Sequence, residues 1–99
     1  MSQAINKTKS SFNREKLPRP GTYFKREGLK LKGGAEWKSA LCPFHPDKNP
    51  SLRVRLDSGG FRCMACGAHG GDVLAFHMQR YGLRFADAAK ALGAWEASQ

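Results

Sequence analysis

The plainest alternation in the chain is SLRVRL, residues 51–56, where Leu52, Val54 and Leu56 share one face and Arg53 and Arg55 the other. That period of two predicts a half-buried strand. DSGG (57–60) is a turn signal, and FRCM (61–64) runs back as a second strand. An antiparallel hairpin over residues 52–64 is expected, with Leu56 opposite Phe61, Arg55 opposite Arg62, and Arg53 close by on the same face. EWKSALC (36–42) also alternates and reads as a strand. The pattern then changes to helical spacing. In GGDVLAFHMQRYG (70–82), Val73, Leu74, Phe76, His77 and Tyr81 form a partly apolar face, Asp72 stands as N-cap and Gly82 just past the end. RFADAAKALG (84–93) predicts a second helix, with Phe85, Ala88, Ala89 and Leu92 at core spacing and Gly93 as its stop. Trp95 is expected to fold back on what precedes it. Residues 1–20 hold few large apolar side chains (Ile5, Phe12, Leu17) and end in LPRPG, so they read as a basic flexible arm ahead of a domain at 21–99.

Charge sharpens this outline. The 99 residues carry a formal +9, of which residues 1–38 hold +7 and residues 39–99 only +2. A basic chain with a basic end points to a polyanion, nucleic acid above all. The hairpin repeats the theme. Like charges directly opposite one another weaken a strand pair, so arginines kept on one face of a ribbon suggest an external anion. A solvated edge that discourages aggregation is the alternative. No apolar run approaches the roughly 20 residues of a membrane span. MSQAINKTKSSF has no secretory pattern, and a cytoplasmic setting is expected, where disulfides are rare.

The three cysteines then need another partner. With one histidine they fall into Cys42-x2-His45-x17-Cys63-x2-Cys66, two donors across each of two tight turns. Four S and N donors in that spacing are what a closed structural zinc site takes. Four protein ligands leave no open position for a catalytic water. A thioredoxin-like redox pair at Cys63 and Cys66 would need a βαβ setting where the sequence offers a hairpin. A papain-like Cys/His nucleophile would need a scaffold and an orienting residue that are missing. His69 and His77 are not expected to be ligands. Below about 100 residues a core is small, and a bound metal supplies folding energy. One structural Zn2+ is therefore expected, in a small α+β fold: a zinc ribbon followed by two short helices.

CPFHPDKNPSLRV, FRCMACGAHGGDVLAF and RFADAAKAL, in that order, resemble the zinc-binding domain of bacterial replicative primases, the Cys-His-Cys-Cys (CHC2) ribbon class. The resemblance covers residues 23–92 and implies that Cys42, His45, Cys63 and Cys66 bind zinc. It implies contact with single-stranded DNA template, with Lys48, Arg53, Arg55 and Arg62 as phosphate contacts and Phe44 and Phe61 either stacking bases or filling the core. Asp47, Asn49, Leu52 and the Met64-Ala65 pair depart from the usual pattern. Primases join this module to an RNA-polymerase domain with an acidic metal cluster. The eight acids here are scattered, with no DxD pair. The chain thus reads as a non-catalytic module of a mobile element, working with a polymerase domain or helicase in trans and not at a membrane. A duplex-binding zinc-ribbon regulator and a protein–protein adaptor are the alternatives.

Overall fold

A computed structural model describes residues 10–97 apart from Ala35 and Asp47. The order is strand β1 (Ser10–Phe12), a 3-10 turn (Arg14–Lys16) and helix α1 (Pro20–Arg26), then strands β2 (Trp37–Ala40), β3 (Leu52–Arg55), β4 (Phe61–Cys63) and β5 (His69–Gly70). Helices α2 (Val73–Tyr81) and α3 (Phe85–Ala91) and strand β6 (Trp95–Ala97) complete it. Strands β2 to β5 form one antiparallel sheet in chain order, and β1 pairs with β6 in a second.

The main sheet has an apolar and a polar face because its side chains alternate. Ala40, Leu52, Val54, Phe61 and Cys63 are buried on one side. Helix α1 starts with proline at its first turn, where a missing N–H costs nothing. It brings Tyr23 and Phe24 onto that side, and α2 brings Val73 and Phe76. Phe76 is the hub: its ring centroid lies 5.0 Å from Phe61, 5.1 Å from Phe24 and 5.1 Å from Phe44, all edge to face. That geometry suits the aromatic quadrupole. Helix α2 comes this close to the sheet only because β5 carries Gly70. A Cβ there would lie 2.6 Å from the Ala75 Cβ and 2.7 Å from Phe61 Cε1. The two expected helices form as read, and the Asp72 carboxylate accepts the Ala75 N–H at 2.9 Å as the N-cap of α2.

Two expectations are corrected. The hairpin forms, but with Val54 opposite Phe61 and Arg53, not Arg55, opposite Arg62. The turn is wider than DSGG alone. Arg55 donates through its guanidinium to both Asp57 carboxylate oxygens at 3.1 and 2.7 Å, and Gly59 turns the chain at φ 82°. The shift is two residues, so every side chain keeps its face. The second correction concerns the arm. Its first nine residues lie outside the described chain, but Ser10–Phe12 is a strand with Phe12 opposite Trp95. Asn13 N–H donates to the Ala94 carbonyl at 2.8 Å, and Lys16 pairs with Glu96 at 2.8 Å. Phe12 and Leu17 close a small second core with Leu74, Ala88, Ala89 and Trp95. Residues 10–20 are therefore part of the fold. Among the described residues no helix is long and apolar enough to cross a membrane.

Candidate metal centre and nucleic-acid face

The first turn of the centre follows β2. Its Phe44 is held against Phe61 and Phe76, which pins the segment between Cys42 and His45 to the core. The second turn follows β4, where Gly67 N–H donates to the Cys63 carbonyl at 3.0 Å. The ligand atoms of Cys42, His45, Cys63 and Cys66 all lie within 4.8 Å of one another. In a tetrahedral site with Zn–S near 2.3 Å, sulfurs sit roughly 3.8 Å apart. The observed Cys42 Sγ to Cys66 Sγ distance is 3.9 Å, and His45 Nε2 lies 3.3 Å from Cys63 Sγ. His45 Nδ1 is 2.8 Å from the Pro46 carbonyl. A carbonyl only accepts, so Nδ1 carries the proton and Nε2 presents its lone pair to the cluster. His69 is outside the group; its Nδ1 donates to the Gly67 carbonyl at 2.9 Å.

The electrostatics of the four donors favour a cation. Burial opposes a charged thiol at Cys63. The N–H groups of Cys66 and Ala65, with the Ser51 hydroxyl, outweigh it and hold that thiol below its usual range. Cys42 goes the other way. Burial and the neighbouring Cys63 and Cys66 push it up to about 12, against the Phe44 N–H that favours its thiolate. Of these two cysteines, Cys63 favours its thiolate and Cys42 resists a second charge beside it. A divalent ion lifts that restriction, because a coordinated thiol gives up its proton outright. The donor set fits zinc.

The polar face of the sheet carries the other predicted residues. Arg62 stands opposite Arg53 on one side and His69 on the other, and Trp37 stands opposite Arg55. Arg55 is occupied by Asp57. Among the described residues, neither the Arg53 nor the Arg62 side chain makes a hydrogen bond or ion pair. Lys48 is exposed but lines a different groove of about 470 Å³, shared with Lys30, Lys32 and Leu41. The two aromatics named for stacking are core instead. Phe61 is only 2% exposed, and half-buried Phe44 stacks on it at 6.1 Å between ring centroids. The sequence reading passed over Trp37. Its signal was present in the W-K-S-A alternation, but the face it shares with the arginines depends on how β2 pairs.

With the geometry established, comparison places the chain. The CHC2 zinc finger family matches residues 24–97. This chain belongs to the CHC2 zinc finger family. Within that family, its zinc-ribbon fold resembles the Aquifex aeolicus primase, seen in a crystal structure of zinc-binding and RNA polymerase domains, with a TM-score of 0.67 and 29% identity over 94% of this chain and 21% of that one. Gene 58 protein of Mycobacterium phage D29 is 44% identical over 55 residues, 56% of this CHC2 chain and 42% of the phage protein. The DNA primase of Mycolicibacterium smegmatis is 43% identical over 61 residues, 62% of this chain and 9% of the primase. The chain thus spans less than half the length of these relatives.

Proposed function

We propose that this CHC2 zinc finger is the template-binding, non-catalytic module of a primase-type system. One Zn2+, held by Cys42, His45, Cys63 and Cys66, staples the ribbon. Four protein donors close the coordination sphere, so the ion supplies folding energy and no activated water. The sheet face then lies along single-stranded DNA, with Arg53 and Arg62 on its phosphates and Lys48 extending the basic surface. A polymerase domain or helicase supplied in trans carries out synthesis, in the cytoplasm. Similarity to a phage protein supports a mobile-element setting.

The observation that carries this reading is the Arg53–Arg62 pair, set directly opposite beside a metal-type cluster, with no acidic side-chain partner among the described residues. Such a pair costs stability until an anion arrives. The test is fluorescence anisotropy of a labelled single strand against a matched duplex, using zinc-loaded protein at two salt concentrations. Tighter, salt-sensitive binding of the single strand is expected. A duplex preference would move the function to a regulator, and no binding to either would leave an adaptor.

A further inference from the structure

Resting on that reading of the sheet face, we infer that Trp37 is its base-stacking residue, so the face grips bases as well as phosphates. Among the described residues, five large apolar side chains are exposed: Trp37, Leu41, Met64, Tyr81 and Phe85. Two of the aromatics among them are already engaged. Tyr81 donates its hydroxyl to Glu27 at 2.6 Å, and Phe85 meets Phe12 edge to face at 5.1 Å. Trp37 alone of the five lies in the four-stranded sheet, at its edge strand and on the arginine side.

A structural role explains only part of this placement. The Arg55 guanidinium lies 5.5 Å from the indole centroid, a cation–π contact. Arg55 is held independently by Asp57, however, and the indole is still 38% exposed. The remaining surface borders a groove of about 360 Å³ lined by Trp37, Gly60, Phe61, Arg62, His69 and Gly70. Two of these are glycines and Phe61 is turned into the core, so the groove's own lining is low, while Arg53 and Arg55 of β3 stand on the same face between Trp37 and Arg62. Trp37 stands at one side, with Arg62 and His69 at the other. The strands bearing Trp37 and Arg62 are two places apart, roughly 10 Å at ordinary strand spacing. A flat ring at one side and unpaired positive charge at the other match a nucleobase joined to its phosphate. Bases inside a duplex already stack on each other, so an indole of this kind selects a single strand.

The test uses zinc-loaded protein with Trp95→Phe as background, which makes Trp37 the sole indole. Three probes are titrated: oligothymidylate, an abasic strand of equal length, and a duplex. Oligothymidylate should quench Trp37 emission, and the abasic strand should bind more weakly without quenching. Trp37→Ala, in the native background, should lose about 5- to 150-fold in affinity for oligothymidylate, matching roughly 1–3 kcal/mol for base–aromatic stacking. Its affinity for the abasic strand and its salt slope should not change, because no phosphate contact is lost. Trp37→Phe should recover much of the affinity. The abasic comparison needs no variant, so it stands even if Trp37→Ala folds poorly. If oligothymidylate binds but neither quenches nor beats the abasic strand, the stacking role is overturned while the single-strand reading survives. If no single strand binds, both fail.

Discussion

Replacing Arg62 with threonine should make the protein more stable and a poorer binder at once. Arg53 and Arg62 are a directly opposed cross-strand pair, and neither is ion-paired with an acidic side chain among the described residues. Opposed pairs of this kind shift stability by roughly 0.2–1 kcal/mol, and like charges do so unfavourably. Threonine removes one charge and suits a strand. At about 4–8 °C per kcal/mol for a domain of this size, the melting temperature should rise by about 1–8 °C. The gain should shrink in 1 M salt, where the Debye length falls to about 3 Å and the repulsion is screened. Binding should respond in the opposite direction. Each phosphate contact on a single strand contributes about 0.7 to the slope of log affinity against log salt. Losing one contact should therefore flatten the slope by about 0.7, and a fourfold rise in salt should then weaken the variant about 2.6-fold less than the parent. Thermal melting by far-UV circular dichroism with saturating zinc, at two salt concentrations, gives the first half. Anisotropy with a labelled single strand gives the second. A variant that melts lower, yet binds with unchanged affinity and slope, would refute the reasoning and make Arg62 a structural residue.

Three further outcomes are expected. Cys66→Ser, or strong chelation of the parent, should release zinc and with it the ribbon's secondary structure, read by metal stoichiometry and circular dichroism; a folded, zinc-loaded Cys66→Ser protein would sink the metal assignment. Truncation at residue 20 should lower the melting temperature and shift Trp95 emission to the red, because it removes the strand opposite Trp95; an unchanged melt would return residues 10–20 to a dispensable arm. His77 should make the fold acid-sensitive. Burial, aided by Arg80 and opposed by Glu27, holds its imidazole below the ordinary 6.5, with the Tyr23 hydroxyl 2.7 Å from Nδ1. The unfolded chain therefore binds the proton first. The His77 contribution is present above pH 6.5 and is lost as pH falls through that value to the lower folded pKa. Denaturant melts of the parent and His77→Gln between pH 8 and 5.5 should show a stability gap that narrows with acid; a gap independent of pH would rule this out.

What could be read from the sequence was local chemistry. Two donors across each tight turn announce a metal site wherever the turns lie, so Cys42, His45, Cys63 and Cys66 were legible, and the structure brings them together. Alternation in LRVR assigns faces without regard to register, which is why a two-residue error in the hairpin left Arg53, Arg55 and Arg62 on the correct side. Asp72 satisfies an N–H three residues away, and such a cap needs nothing distant. Tertiary structure decided the rest. Phe44 and Phe61 fit a base as well as a core until Phe76, from a later helix, packs edge to face against both. SSF is too short to carry a period, and it becomes a strand only because residues at the far end of the chain supply its partner. The side-chain bond from Asn13 to Glu96 spans 83 positions. Trp37 joins the arginines for the same reason: strand pairing, which sequence periodicity does not encode, sets it opposite Arg55.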